Sequence, residues 1–442
     1  MKTNSRFFNF FLAAIYALVY DYVYCHYMYG VWRSYVDGTY VPMGTKAYIL
    51  FVILAASPFM LYRGLRHVAS AFSLFIYLLV YIPVIESLFV NDYPNFIRIP
   101  YMVVFFLMIC LFFFTDGIYM LKKTFKRTRK VIQFKTIISI TFFLLAMVLV
   151  LNRGQLHFVN FFAADNDLYS LRSETHLSGI YFVCWIRSAL LPLLLVYYLN
   201  KRSYPGVLIV IISFILVFML DKQKITAIFP FALIGIYYAL MYYKESFSKY
   251  FHVFLMTLLS IVSLFFTFIE TNPITLALGM LVVLRTQCIA GAQLERYFNF
   301  FVLENNPHTH YTHISIINQI TGAYPYGDQS IGQMVAGDGS NSNAAFWLMD
   351  GVAAEGLIGV IIISFIFIVF KSIMNSLDTR CSVGICVTVL LFGILAMVNM
   401  SLMTAILSNG FLILFFLFLF ADVRAIERTP LIRRGQRKLG YK

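Results

Sequence analysis

Seven cations in this 442-residue chain stand in or beside long apolar runs: Arg153, Arg172, Arg187, Lys222, Lys224, Arg285 and Arg296. Guanidinium forks and ammonium groups match phosphate oxygens. Gathered at one membrane–water boundary, such groups would hold the diphosphate of a lipid-borne leaving group. The plain alternative is that each snorkels to the interface on its own. Arg187 is the most telling of them, because a charge inside a spanning segment costs about 2.5–3.5 kcal/mol on insertion scales. Lys222 and Lys224 occupy the tip of a tight turn, Asp221-Lys222-Gln223-Lys224.

A second group lies in the segment Asp338-Gly339-Ser340-Asn341-Ser342-Asn343-Ala344-Ala345-Phe346-Trp347-Leu348-Met349-Asp350-Gly351, which leads into Glu355-Gly356-Leu357-Ile358-Gly359. Asn341 and Asn343 offer amide donors and acceptors suited to sugar hydroxyls. Asp350 and Glu355 are five apart, off a common helical stripe, so they do not read as an acid/base pair. The glycines at 351, 356 and 359 read as close helix packing. A third group is His308-Thr309-His310-Tyr311-Thr312-His313. No carboxylate or cysteine at ligand spacing completes it as a zinc site, so no metal is expected there. It reads as a general base, a sugar contact or a solvated polar loop. Tyr297, Tyr311, Tyr324, Tyr326 and Trp347 are set to stack on sugar rings or to anchor the interface.

The elements that must position these groups follow from composition. Hydrophobic residues make up 61% of the chain and charged residues 12%, with a mean hydropathy of +0.80. That much apolar surface needs hydrocarbon as its solvent. The runs are long and continuous, which selects helices over barrel strands. Twelve spans are expected: 7–25, 46–62, 68–90, 99–120, 136–152, 178–199, 205–220, 225–243, 251–269, 351–370, 381–400 and 404–421. The first is read as a retained span, since no small-residue cleavage site follows it. With the N-terminus inside, 24 of the 34 Lys and Arg fall on inner segments and nine on outer ones. Both termini are therefore expected in the cytosol. The net charge of +14 reports this orientation and does not point to nucleic acid. The six cysteines are scattered and form neither a disulfide framework nor a CxxC pair.

The expected organisation is an N-terminal region of about nine spans (1–270), a large outward loop (271–350), three further spans (351–421) and a basic cytoplasmic tail (422–442). Within the loop, Pro273 to Leu284 is too short to cross and reads as re-entrant or interfacial.

On Asp221-Lys222-Gln223-Lys224, on Arg285 with Glu295-Arg296-Tyr297, and on Asn341-Ser342-Asn343-Ala344 through Asp350-Gly351 and Glu355–Gly359, the chain resembles the Wzy-type O-antigen (oligosaccharide repeat-unit) polymerases. These are relatives of the O-antigen ligases, and the likeness extends to the twelve-span layout. It implies a bacterial inner-membrane protein with the membrane glycosyltransferase fold of those ligases. Its activity would be transfer of a growing glycan from undecaprenyl diphosphate to another undecaprenyl-diphosphate-linked repeat unit, on the periplasmic face and without a cofactor. A chain-length regulator and a repeat-unit flippase would be its partners. By the same resemblance Arg285 and Lys224 act on the diphosphate, supported by Lys222, Arg187, Arg153 and Arg296. Asn341, Asn343 and Tyr297 contact sugars. Asp338, Asp350 and the three histidines are the available bases, with His313 taken among the histidines. Where the ligases carry a loop histidine this chain has Asn341 and Asn343, and Lys224 stands for an arginine. Both departures favour a polymerase over a ligase.

A flippase or other transporter is the non-enzyme alternative. It would be expected to show mid-bilayer ionisable residues and internal repeats, and little beyond Arg187 and Glu86 answers to that. A lipid-phosphosugar transferase of the other large membrane class would need acids in the first outer loop, where only Asp37 stands.

Overall fold

Apolar runs in hydrocarbon must satisfy their own backbone groups, and this chain does so in helices. The computed structural model describes residues 2–33, 40–157, 177–242, 244–269, 272–337 and 340–426. About 80% of the chain is helical, and no strand forms among the described residues. In chain order the main helices are α1 (Arg6–Val31), α2 (Thr45–Leu61), α3 (Val68–Val90), α4 (Asn95–Phe114), α5 (Phe134–Leu151), α6 (Ile180–Lys201) and α7 (Tyr204–Asp221). They continue as α8 (Lys224–Met241), α9 (Tyr250–Phe268), α10 (Ile274–Leu303), α11 (Trp347–Thr379), α12 (Val383–Asn399), α13 (Leu402–Ser408) and α14 (Phe411–Phe420). Among the described residues ten are long and apolar enough to cross a membrane, or eleven if the bent pair α13–α14 counts as one span. The protein is an all-α, multi-pass membrane protein.

The elements depart from the twelve expected spans in three places. Helices α2 and α12 stand where spans are expected, though short ones, whereas α13–α14 is bent by 49° where one continuous span is expected. Residues 285–303, expected in the polar loop, are helical and continue the short apolar run to Leu303. Hydropathy misses this extension because its polar side chains are paired within the fold. Helix α11 departs furthest, and its shape is taken up with the site.

Two compact units emerge. The first comprises Met1–Ile118, Lys249–Ser372 and Ile394–Ala405; the second comprises Tyr119–Ser248, Ile373–Gly393 and Ile406–Lys442.

In the first unit every residue of α3 is buried, so this helix forms the unit's axis. Its end is tied to the end of α1: Tyr29 Oη lies 3.3 Å from Asn91 Oδ1, and Tyr40 bridges Asn91. At the opposite end Asn9 donates to the Tyr62 carbonyl (3.1 Å), and buried Lys371 pairs with Asp116 (2.7 Å). The second half of α10 runs beside α1 in the same direction, and its start returns to the same end of α1. A side chain on Gly279 would meet the Tyr27 hydroxyl, Tyr20 donates to the Gln287 carbonyl, Gly291 abuts Tyr24, and Tyr29 donates to Glu295. The contacts at 287, 291 and 295 step along α1 at 20, 24 and 29, whereas Gly279 lies back at Tyr27. The far end of α10 places Phe298 against Tyr93 and Tyr101 (ring centroids 5.4 and 4.6 Å). Helix α10 thus finishes at the end of the unit where α1 and α3 finish and α4 begins.

In the second unit α6, α7 and α8 pack against one another. Asn152, closing α5, holds Ser178 through both its amide and its carbonyl oxygen (3.1 and 2.8 Å). Lys222 closes α7 in the left-handed region (φ 54°), its N–H donating to Phe218 O.

Candidate functional site

Helix α11 is two arms folded back on each other. Phe346 stacks on Phe367, Trp347 Nε1 donates to Ser364 Oγ (2.8 Å), and a side chain on Gly351 would meet Val360 Cγ2 at 3.0 Å. The paired numbers converge as they approach 355, which is antiparallel pairing. The turn is Glu355 (φ −151°, ψ 28°) and Gly356 (φ 58°, ψ −134°). A left-handed φ favours glycine, so Gly356 makes the turn. Gly359 supplies the close approach, since a Cβ there would be driven into the Gly351 carbonyl oxygen. The glycines expected for packing thus divide into two roles: contact at 351 and 359, and a reversal at 356.

The histidine segment caps this reversal. Helix ends leave carbonyls without partners. Here Thr309 N–H donates to Ala353 O (2.9 Å) and His310 N–H to Ala354 O (3.1 Å). To do so the chain carries His310 and Tyr311 at φ 48° and 63°, a left-handed pair without glycine. Such strain persists only where the surroundings hold it, and it clusters at functional sites. Tyr101, early in α4, and His308 flank Gly356. The turn therefore lies at the end of the unit where α10 finishes.

Two His–carboxylate pairs result, and they differ in exposure. His310 Nδ1 donates to Glu355 Oε1 at 2.6 Å, with side chains 69% and 35% exposed. Beside a carboxylate acceptor Nδ1 carries the hydrogen, so Nε2 presents a lone pair outward. His313 is nearly buried: Nε2–H donates to Asp350 Oδ1 (2.9 Å), while Nδ1 accepts from the Thr309 hydroxyl (2.9 Å). Asp350 is wholly buried and also accepts from Ser401 Oγ and from Leu402 N–H, both at 2.6 Å. It thereby caps the first turn of α13, where backbone N–H groups favour an anion. Both nitrogens of His313 are committed. His310 is the accessible base of the two.

Nearby, Arg296 Nη1 donates to Ser342 Oγ (2.6 Å) and Tyr297 Oη to Ser342 O (3.2 Å). These bonds fix the Asn-rich strand of loop, with the Asn341 and Asn343 amide oxygens lying against Gly332. Tyr297 is fully buried, so its ring has no face open to a sugar in this conformation. Burial pushes the Tyr311 hydroxyl up to about 12, with the Asp350 and Glu355 carboxylates adding to the shift, and it stays a hydrogen-bond donor at neutral pH. Arg285 is exposed, on a π-helical stretch of α10. Asp338 lies outside the described residues, as does Arg172.

In the second unit Arg187 is buried and its Nη1 donates to Asp221 Oδ2 (2.8 Å). Asp221 also accepts from Thr226 Oγ1 (2.8 Å) and Gln223 N–H (2.9 Å). The arginine expected on a diphosphate is thus directed to an internal carboxylate, which answers the cost of its burial. Lys222 is buried at the α7 cap, Lys224 is half-buried at the start of α8, and Arg153 is exposed just beyond α5.

Sequence reasoning missed three residues. Asp221 was readable as the acid closing the helix after Arg187. Glu355, set aside for its spacing from Asp350, proves to face a histidine 45 positions earlier, and no local pattern announces that. Glu295, wholly buried, accepts from Asn91 (2.7 Å) and Tyr29 (2.9 Å) and ties α10 to α1 and α3.

Comparison with models of protein families, with curated proteins and with solved structures finds no match to this chain.

Proposed function

We propose that this protein is a membrane glycosyltransferase that joins polyprenyl-diphosphate-linked oligosaccharide repeat units into O-antigen or a related surface polysaccharide. The observation that carries the reading is the exposed His310, aligned by Glu355, on a strained cap over a helical reversal. Glycosyl diphosphates are already activated. The transferase has to take the proton of an acceptor sugar hydroxyl and to stabilise the departing diphosphate. Nε2 of His310 takes that proton, and Glu355 stabilises the imidazolium that forms. The acceptor oxygen bonds to the anomeric carbon, and the carbon–oxygen bond to diphosphate breaks with its electron pair leaving on the phosphate. Arg285, in the same unit as His310, is the cation assigned to the diphosphate. The excess of Lys and Arg on the opposite segments supports an outward, periplasmic placement of 304–346 in a bacterial inner membrane. With α10 left out, since Gly279 and Glu295 both meet the end of α1, the other nine long helices with α2, α12 and the bent pair make twelve passages, an even number that supports both termini on one side.

The decisive experiment is deletion followed by a lipopolysaccharide gel, with complementation by wild type and by His310→Ala. Collapse of the ladder to a single repeat on core, restored by wild type and not by His310→Ala, supports the polymerase. An unchanged ladder on deletion refutes it. Complete loss of O-antigen supports a flippase or, as a second enzymatic reading, an O-antigen ligase. One observation favours that reading: a histidine does stand in the loop before a late helix, although at 310 and not at 341 or 343.

A further inference from the structure

Away from the histidine cluster, Asp21 and Cys25 on α1 face Glu86 on α3, and one ligand atom from each lies within 4.8 Å of the others. Cys25 Sγ is 3.5 Å from Asp21 Oδ1 and 4.0 Å from Glu86 Oε1. Glu86 is wholly buried, and among the described residues no donor reaches its second oxygen, Oε2. Two carboxyl groups and a thiol are thus turned toward one another in an apolar setting, which like charges resist. A cation at their centre resolves this.

The donor set says which cation. Oxygen-only cages suit magnesium and calcium, whereas a thiolate selects zinc and its relatives. Zinc–sulfur and zinc–oxygen bonds of about 2.3 and 2.0 Å in a tetrahedron separate the two ligand atoms by about 3.5 Å. The separations found, 3.5 and 4.0 Å, fit that figure with a small closure. Tyr48 lies in hydrogen-bonding reach of Asp21, and Tyr40 of Cys25. These hydroxyls supply the outer partners that orient ligands at metal sites. Cys25 also sits at the start of a π-helical stretch, Tyr24–Val31, a distortion frequent at functional sites.

We infer that Asp21, Cys25 and Glu86 form a zinc-class cation site that joins α1 to α3, with a fourth position open to water. The inference rests on nothing in the glycosyl-transfer reading, and each can fail alone.

The test uses the full-length protein, purified in detergent without chelator and with its thiols reduced, and titrated with cobalt(II) as the probe. The expected result is a thiolate-to-cobalt absorption band in the near ultraviolet that saturates at one equivalent and is displaced by zinc. Cys25→Ser should abolish the band, Cys110→Ser should keep it, and Glu86→Gln should weaken cobalt binding at least tenfold. No band in the wild-type protein at saturating cobalt would overturn the site and leave a proton shared by the two carboxyls. A band that survives Cys25→Ser would overturn it equally. Because the wild-type titration alone can refute the site, poor folding of a variant does not shelter it.

Discussion

Nδ1 of His310 lies 2.6 Å from Oε1 of Glu355, although 45 residues separate the two in the chain. The contact exists because Gly356 reverses α11 at the point where the histidine segment caps its carbonyls. Position 310 therefore couples backbone capping to the presentation of a free imidazole nitrogen.

His310→Ala should lower the rate of polymer formation by about 10²–10⁴-fold, the range for loss of a positioned general base. Glu355→Gln should act in the same direction, since an amide no longer enforces the tautomer with Nε2 free. Both proteins should reach wild-type abundance, because His310 is largely exposed and Glu355 partly so. Initial rates with a purified lipid-linked repeat unit check this, and a wild-type rate in His310→Ala removes the histidine from the chemistry.

Asp350 should behave in the opposite way. Asp350→Ala leaves the Leu402 N–H, the Ser401 hydroxyl and the His313 ring without their shared acceptor in a buried place. Breaking one side of such a buried arrangement costs about 3–5 kcal/mol. The expected outcome is a lowered unfolding midpoint and reduced membrane abundance. Full stability with lost activity would instead move Asp350 into the chemistry.

A double-mutant cycle on Arg187 and Asp221 separates a structural pair from a diphosphate contact. Either single change to Leu strands a buried charge and should destabilise by about 3–5 kcal/mol. The double change Arg187→Leu/Asp221→Leu should recover most of that loss. If activity recovers with stability, the pair serves the fold. Recovered stability with no activity would place Arg187 on the substrate.

Gly359→Val should disrupt the α11 hairpin, because its side chain would be driven into the Gly351 carbonyl. Overpacking of this kind costs about 1–3 kcal/mol. Gly154→Ala, with nothing within 4 Å of the added carbon, is the neutral control. Thermal unfolding of both in detergent reads the difference.

The sidedness of the loop gives a further check. A reporter active only outside the cytosol, inserted at exposed Asp328, should be active, and the same reporter fused near Asp378 should be silent. Activity at 378 and silence at 328 would invert the topology and remove the substrate from the site.

How much of this was legible in the residues differs from group to group. Uninterrupted apolar runs with a skewed distribution of Lys and Arg were enough to establish an all-helical multi-pass protein, because hydrocarbon permits few backbone solutions and hydropathy is additive along the chain. The glycines at 351 and 359 announced close packing for the same local reason, while the reversal at 356 went unread. What only tertiary structure decided was pairing. Whether Arg187 faces a ligand or Asp221, whether α11 runs straight or folds at Glu355, and which histidine keeps a free nitrogen all depend on groups distant in sequence. Hydropathy also hid the helix through Glu295 and Arg296, because it scores each polar side chain as solvated, whereas here Asn91, Tyr29 and Ser342 take the place of water.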